Sequence, residues 1–405
     1  MQRVKLEDWI CREEGFSCID RLQINALQLK RLNVLIEKYQ KKGGIWADLP
    51  GNLENLSQLQ DLPFTTAAML QDCPGQFLQL SQAQVERVIS QATSGTTGGA
   101  KRVFYSQKDL NRTVDFFAAG ISEMLSSGEK CLIAFPFSGP SGLGDLIAKA
   151  VEKLGAVPVK AGFGSSFREM NALIQKEQPQ TYIGFSAPLL SMKRLFPGVF
   201  PIQRALLSGD SCPRGVLDSL HMPCYPHYGS RETALGGAVT CSAFEGMHLR
   251  ENHIIPEIID PSGQVLPDGQ FGELVITTIG MEAMPLLRYR TGDRTRILPT
   301  PCPCGGITRR LDRVVRMESG PVSMEALDNA IFPISQVVDF RAFLGNSLDL
   351  QVSVLEEGIQ PRILSAVKTV YPHLSVTVSC RIASADDRPA YPGKRHILKA
   401  EGCHA

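Results

Sequence analysis

Five short stretches of the chain gather the residue types that handle phosphate, carboxylate and metal. Residues 93–101 read TSGTTGGAK, with hydroxyls at Thr93, Ser94, Thr96 and Thr97, glycines at Gly95, Gly98 and Gly99, and Lys101 at the end. Glycine and serine at this density cannot pack a core, so a flexible linker is the plainest alternative. The flanks favour a built loop. VERVISQA before it suits the end of a helix or a short strand, and RVFYSQKDLNRTVDFF after it predicts a strand over 102–105, an N-cap at Ser106 and a helix carrying Leu110, Val114 and Phe117. Such a turn, with backbone N–H groups turned inward and hydroxyls and a lysine beside them, suits phosphate. It is not the nucleotide loop of kinases and ATPases: counting from Gly95, the second glycine position is Ala100, and Arg102 follows Lys101 where Ser or Thr is needed.

The other stretches are YPHYGSRE at 225–232, RYRTGD at 288–293, RPAYPGKRHILK at 388–399, and PCPCGG at 301–306. Taken singly, the first is compatible with a surface turn, the second with an ordinary Thr-Gly-Asp turn and the third with a solvated lysine. In PCPCGG, a Cys-x-Cys pair between proline and glycine can aim two thiolates at one ion. Cys302 and Cys304 with Cys241 and His248 make a tetrahedral zinc set of three thiolates and one imidazole, whose structural role would be to tie 241–248 to the loop after Asp293. The spacing is not that of a zinc finger, and buried unligated cysteines with a surface histidine are the alternative.

The 405 residues suffice for two or three domains, and 42 Lys plus Arg against 41 Asp plus Glu leave no basic excess for nucleic acid or an anionic membrane. The N-terminal MQRVKLEDWICREEG has no secretory apolar core, no run approaches a membrane span, and the eleven scattered cysteines suit reduced thiols or a metal site, so a cytoplasmic enzyme is expected.

The elements that must position these stretches can be read from periodicity. Residues 17–42 predict a long amphipathic helix through Leu22, Ile24, Leu27, Leu29, Leu32 and Leu35, ended by Gly43-Gly44. From 129 to 260, KCLIAF, AVPVK, QTYIGF and RALLSG alternate with GDLIAKAVEKL and FREMNALIQKE, the pattern of α/β units on a largely parallel sheet. HIIPEIID, ELVITTI and RTRILP predict hairpin strands of a β subdomain over 253–300. After 317, VVDFRAFLG and LDLQVSVLE, the helix QPRILSAVKTV and the strand LSVTVSCRI predict a small α+β domain. The expected organisation is an α/β domain over 1–315 and a compact domain over 316–405.

In this order, the four non-metal stretches resemble the signatures of the adenylate-forming superfamily of acyl-CoA synthetases, luciferases and peptide-synthetase adenylation domains. The chain is most similar to its phenylacetate-CoA ligase branch, through RLQINALQLKRL, LQDLPFTTAAML at 59–70, the loop itself, GMHLRENHIIPEIID at 246–260 and EAMPLLRYRTGD at 282–293. The resemblance implies a large AMP-binding domain, a mobile C-terminal lid and ATP, Mg2+ and CoA as cofactors. It places Thr93, Ser94, Gly95, Thr96, Thr97, Gly98 and Lys101 on the phosphates, the Tyr228 ring on adenine, Gly229 and Ser230 in the same turn, and Glu232 on magnesium. It also implies Ser208, Gly209 and Asp210 along adenine, Asp293 on both ribose hydroxyls, Arg310 among the nucleotide contacts, and Lys394 on the lid, stabilising charge on the acyl carboxylate and α-phosphate. Phe137, Ser138, Ser186, Ala187 and Pro188 would line the acid pocket. Relatives often carry cysteines and a histidine where Cys241, His248, Cys302 and Cys304 stand.

The chain departs from the branch at three places. FSGPSGLGD at 137–145 replaces an FTGG-like segment; Arg231 replaces a hydroxyl, so that either Ser230 takes over its contact or the guanidinium reaches the α-phosphate or acyl carboxylate; and RLDRVVRMESG shortens the hinge, with Asp312 as its pivot. The implied reaction is activation of a carboxylic acid, aromatic or arylacetic, to acyl-AMP and transfer to CoA. Transfer to a carrier-protein thiol or an amine, and a non-catalytic nucleotide-binding protein, are the competing readings. No nucleic-acid or membrane partner is expected, and a homodimer is an option for assembly.

Overall fold

A computed structural model of the chain describes residues 4–399 apart from 92–99, 163, 199 and 319, with Gln91 described through its backbone alone. In chain order the elements that matter here begin with helices α1 (Lys5–Glu14), α2 (Arg21–Lys42) and α3 (Ala67–Asp72), strands β1 (Arg87–Gln91) and β2 (Lys101–Tyr105), and α4 (Gln107–Ile121). An alternating series follows: β3 (Lys130–Ile133), α5 (Leu143–Lys153), β4 (Val157–Lys160), α6 (Phe167–Glu177), β5 (Thr181–Gly184), α7 (Ser186–Leu195), β6 (Arg204–Leu207), α8 (Arg214–Leu220) and β7 (Cys224–Tyr228). Strands then dominate, with β8 (Ala238–Thr240), β9 (Met247–Leu249), β10 (Ile254–Ile259), β11 (Gly272–Thr278), β12 (Tyr289–Thr295), β13 (Arg310–Leu311) and β14 (Val315–Arg316). The chain closes with α9 (Met324–Ile331), β15 (Val337–Leu344), β16 (Leu348–Val354), α10 (Gln360–Val370), β17 (Val376–Ile382) and β18 (Leu398–Lys399). The expected α/β class holds.

Two compact units divide the chain: Met1–Glu123 with His227–Met317, and Met124–Pro226 with Glu318–Ala405. In the first, β1 and β2 pair antiparallel from Arg87↔Tyr105 to Gln91↔Lys101, which brings the two flanks of the phosphate-loop candidate side by side. Ser106 caps α4 as expected: its Oγ accepts the Asp109 N–H at 3.2 Å, and Asp109 Oδ2 returns the bond to the Ser106 N–H at 3.0 Å. The same buried carboxylate accepts N–H groups of Glu282 at 2.7 Å and Ala283 at 3.0 Å, tying the helix to the approach of β12. Helix α2 starts and stops where its caps dictate, with an Asp20–Gln23 capping box and Gly43 at φ 73°. Its buried face runs through Ile24, Leu32, Leu35, Ile36 and Tyr39, whereas Leu22 is 80% exposed. Of the six apolar positions expected on this face, Ile24, Leu32 and Leu35 are buried, Leu27 and Leu29 half-buried and Leu22 exposed, and Gln28 takes a core position by donating to the carbonyls of Glu251 and Ile254.

Strands β10, β11, β12 and β14 form the antiparallel β subdomain, and the end of β7 pairs with β8, then β9, then β13. Thr-Gly-Asp lies inside β12 and not in a turn. Between the Val275↔Arg290 and Glu273↔Arg294 pairs, Thr291, Gly292 and Asp293 oppose Leu274 alone, a bulge in which Gly292 takes φ 72°.

In the second unit, β4, β3, β5, β6 and the start of β7 are parallel in that order, as the alternation predicted. The tail forms the order β17-β16-β15-β18, with α9 and α10 supplying its apolar cover. One continuous core joins Leu132, Ile174, Leu189, Leu207 and Val216 to Leu327, Phe332, Phe340, Leu350 and Ile363. Among the described residues no helix is long and apolar enough to cross a membrane.

Candidate active site and metal centre

In the first unit, Lys101 opens β2, Glu232 sits in the short helical turn after β7, and Tyr289 opens β12; these three side chains converge. The Lys101 ammonium ion-pairs with Glu232 Oε1 and donates to the Tyr289 hydroxyl at 3.1 Å, and that hydroxyl donates to Glu232 Oε1 at 3.3 Å. Glu232 is 3% exposed. Burial, the largest single influence, raises its carboxyl, but the charge and hydrogen bond of Lys101, a backbone hydrogen bond and the Arg231 charge together hold it below the ordinary carboxylate range.

The Tyr228 hydroxyl donates to Asp293 Oδ2 at 2.9 Å. The bulge in β12 makes this reach possible, since Thr291 Oγ1 donates to the Leu274 carbonyl at 2.7 Å and accepts the Asp293 N–H at 3.1 Å. The turn between Tyr228 and Glu232 is held tightly. A Cβ on Gly229 would fall 2.2 Å from the Leu235 carbonyl oxygen, so only glycine fits there. Tyr105 of β2 donates to the Arg231 carbonyl at 2.7 Å, and Ser230 Oγ is buried with no partner among the described residues. Loop residues Thr93 to Gly98 lie outside the described residues.

The second unit holds the Ser208–Asp210 stretch, the acid-pocket candidates and the lid lysine. Phe185, Ser186, Ala187 and Pro188 at the start of α7 line one small cavity together with Asp210, Tyr391, Gly393 and Arg395. Gly209 has φ 88°, and a Cβ there would lie 2.7 Å from the Phe185 ring, so the Ser208–Asp210 turn packs against this aromatic edge. Asp210 is spoken for: its Oδ1 accepts the Ser211 N–H at 2.9 Å and its Oδ2 the Arg395 N–H at 2.7 Å. Lys394 is exposed. Phe137 carries the Lys160 ammonium 5.5 Å above its ring, and Ser138 follows it after β3.

The metal candidates come together. Cys241 follows β8, His248 is the middle of β9, and Cys302 and Cys304 precede β13, whose Arg310 pairs with His248. Their ligand atoms all lie within 4.8 Å of one another. Cys241 and Cys302 sulfurs are 3.7 Å apart and Cys304 Sγ is 3.3 Å from His248 Nε2. A tetrahedral ion with metal–sulfur bonds of about 2.3 Å has sulfur–sulfur edges of roughly 3.8 Å, so the spacing fits. Backbone N–H groups of Ala243 and Gly306 point at the Cys241 and Cys304 sulfurs at 3.4 and 3.3 Å, as thiolates require.

Behind His248, Thr308 Oγ1 donates to Glu7 Oε1 at 2.9 Å and so must accept from His248 Nδ1 at 2.8 Å. The proton is thereby placed on Nδ1, and the Nε2 lone pair faces the cysteines. Glu7 Oε1 is itself fixed by the Ile307 and Thr308 N–H groups at 2.6 and 2.7 Å.

Similarity to known proteins follows the same lines. The phenylacetate-coenzyme A ligase of Aromatoleum evansii is 32% identical over 317 residues, covering 72% of this chain and 70% of that protein. The chain belongs to the phenylacetate-CoA ligase family. Its namesake in Pseudomonas putida is 31% identical over 309 residues, covering 71% and 69%, and that of Thermus thermophilus 29% over 375 residues, covering 84% and 83%. A 2-hydroxyisobutyryl-CoA ligase in its postadenylation state superimposes with a TM-score of 0.77 at 16% identity, over 95% of this chain and 91% of that one, which shows the shared fold. No family model matches the chain.

Set against that family, two residues stand apart from the roles their motifs implied. Arg310 is 2% exposed, and its guanidinium donates to the carbonyls of Glu245 and Thr300, inside the metal-bearing part of the fold. Asp312 ion-pairs with Arg296 at 2.7 Å. Four participants went unassigned in the sequence: Tyr289, Thr308, Glu7 and Arg395. Tyr289 was within reach, since it lies in RYRTGD beside Asp293. No local pattern marks Glu7, which meets Thr308 across 301 positions.

Proposed function

We propose that the chain activates an aromatic or arylacetic carboxylic acid with ATP and passes the acyl group to CoA. The observation that carries this reading is the Lys101–Glu232–Tyr289 cluster beside the Tyr228–Asp293 pair, a cation and two fixed carboxylates of the kinds that phosphate, magnesium and ribose hydroxyls need. A substrate carboxylate oxygen attacks the α-phosphorus of ATP, an O–P bond forms, the bond to the β-phosphate breaks and pyrophosphate leaves. The CoA thiol then attacks the acyl carbon, its proton is lost, the C–S bond forms and AMP departs.

Lys101 and the buried Ser230 hydroxyl serve the phosphates, Asp293 accepts from the ribose hydroxyls while Tyr228 holds its carboxylate, and Lys394 stabilises negative charge on the acyl carboxylate and α-phosphate. Glu232 would hold Mg2+, which neutralises phosphate charge when bound. Residues 316–405 act as the lid and residues 1–315 as the adenylating part. Cys241, His248, Cys302 and Cys304 hold structural zinc, since three thiolates and an imidazole leave no open position. A cytoplasmic location goes with this chemistry and its reduced thiols.

The test is pyrophosphate release over a panel of carboxylic acids, with and without CoA. Acid-dependent release with thioester formation is expected. Release followed by transfer only to a carrier-protein thiol or an amine would reassign the acceptor, and no release with any acid would overturn the reading.

A further inference from the structure

Arg395, one residue after the proposed lid lysine, makes three side-chain hydrogen bonds among the described residues of the second unit and has no part in the reaction above. Its side chain is 8% exposed. Nε donates to Asp328 Oδ1 of α9 at 3.0 Å, Nη1 to Asp339 Oδ1 of β15 at 2.8 Å, and Nη2 to the Phe340 carbonyl at 3.2 Å. The guanidinium lies over the rings of Phe340, Tyr391 and Phe332 at 4.5, 5.0 and 5.1 Å. A charge buried this way persists only when paired and hydrogen-bonded throughout, and here every contact belongs to the same C-terminal segment. Asp339 Oδ2 holds the other flank of the loop by accepting the Ala390 N–H at 2.8 Å, and the Tyr391 hydroxyl accepts the Ala342 N–H at 3.2 Å. The five residues from Ala390 to Lys394 are thus a short span anchored at both ends to β15, which leaves Lys394 little freedom relative to that strand.

What lies outside the segment is Asp210. Its Oδ2 accepts the backbone N–H of Arg395 at 2.7 Å, while Oδ1 is held by the Ser211 N–H. We propose that Arg395 and Asp210 are positioning residues for Lys394: Arg395 welds the lysine loop to the sheet of its own segment, and the Asp210 carboxylate docks that loop onto the Ser208–Asp210 turn. The carboxylate of this turn then acts on the lid backbone and not on adenine. The Arg395 bond to Asp210 is one backbone contact beside two others nearby, from the Phe167 N–H to the Asp387 carbonyl at 2.8 Å and from the Arg168 N–H to the Ala385 carbonyl at 2.6 Å, whereas the guanidinium clamp is internal to the segment, so loss of Asp210 loosens the loop without melting it. Losing Asp210 therefore affects the step that needs Lys394 and spares the step that does not. This rests on the reading of Lys394 as the adenylation lysine.

The experiment compares Asp210→Ala, Asp210→Asn, Arg395→Lys, the neutral replacement Arg395→Met, and Lys394→Ala in the full chain. Three readouts are taken: pyrophosphate release as kcat and ATP KM, thioester formation from synthetic acyl-AMP with CoA, and hydrogen exchange over 391–397. Asp210→Ala is expected to lower adenylation kcat about 10- to 100-fold, as loss of orientation does, to leave the thioester step within about 3-fold, and to speed exchange over 391–397. Asp210→Asn, which keeps one acceptor, should fall between it and the wild type, and Arg395→Lys, which keeps the charge, should recover more adenylation than a neutral replacement. Lys394→Ala should lose adenylation with exchange unchanged. Asp210→Ala with wild-type exchange and kcat overturns the proposal, as does a loss confined to ATP KM, which would make Asp210 an adenine contact. If Lys394→Ala adenylates normally, the lysine reading fails by itself, and exchange in the Asp210 variants still decides whether the docking bond exists.

Discussion

The Lys101–Glu232–Tyr289 cluster, the proposed substrate-exchanging site, and the cysteine–histidine cluster lie in the same compact unit and are built on opposite principles. Lys101, Glu232 and Tyr289 satisfy one another, with a full positive charge beside a full negative one and a hydroxyl bonded to both. Cys241, Cys302, Cys304 and His248 cannot do so. Thiols are weak donors and weak acceptors, and the only strong bond in that group, from His248 Nδ1, points away from the shared centre toward Thr308. A site that exchanges substrate each turnover gains from internal partners that keep its charges neutralised between visits. A site for a resident ion gains from donors with nowhere else to go. The difference predicts that the two will respond oppositely to losing a member: one by losing function, the other by losing structure.

The largest effect should follow Cys302→Ser combined with Cys304→Ser. Two of four donors vanish, and structural zinc sites supply folding free energy outright. Elemental analysis of the wild type purified without added metal should give about one zinc per chain, the variant near none, with the thermal midpoint lower by roughly 5 °C or more. Metal-free wild-type protein of full stability would end the contrast between the two clusters.

Next comes a double-mutant cycle on the exchanging site. Glu232→Gln leaves the largely buried Lys101 ammonium facing a neutral amide, and Lys101→Met does the converse to Glu232. Each single change should cost a few kcal/mol of stability, because a buried charge without its partner is costly, while the pair of changes together should cost less than either alone. Activity should not follow: adenylation should fall by about 100- to 1,000-fold in all three, as for loss of a preorganised electrostatic contact. Stabilities that simply add would show that Lys101 and Glu232 do not neutralise one another.

These two clusters also differ in how far the sequence disclosed them. The cysteines and histidine were legible as a set because their types permit few other uses. In the exchanging site Glu232 and Asp293 stood out in short motifs, but the bond from Tyr228 to Asp293 depends on three residues of β12 bulging against Leu274, a register set by strand pairing and invisible to local periodicity. The same limit explains Arg310. Its neighbours RLDR look like a hinge, yet burial beside β9 spends its guanidinium on two carbonyls. The parallel strands of the second unit were readable as short, almost continuously buried runs such as Cys131–Ile133 and Thr181–Gly184, alternating with amphipathic helices; the docking of Arg395 on Asp210, 185 positions away, was not.

Asp293 gives a smaller and more selective effect. Replacing it with Ala removes the proposed acceptor for the ribose hydroxyls, and because hydrogen bonds to charged groups are each worth about 1.5–3 kcal/mol, ATP KM should rise by about 10- to 100-fold, while loss of the Tyr228 bond should lower the thermal midpoint by about a few degrees. Tyr228→Phe should reproduce about a tenth of that rise. A kcat defect with unchanged ATP KM would remove Asp293 from the nucleotide.

The finest test of the contrast is Thr308→Val, at a residue that is itself neither a proposed ligand nor a proposed substrate contact. Valine keeps the shape but removes the acceptor of the His248 Nδ1 proton and one donor to Glu7 Oε1. The imidazole is then free to change tautomer or tilt, and metal affinity should fall by roughly 10- to 100-fold, as when an outer partner of a ligating histidine is lost. Competition with a chromogenic chelator reads this directly, without reference to turnover. Thr308→Ser, which restores the hydroxyl, should recover most of the affinity, and that recovery separates the hydrogen bond from packing. If the valine variant holds its metal as tightly as the wild type, the Glu7–Thr308–His248 chain is a tie between α1 and the strands beside it and has no part in aiming Nε2.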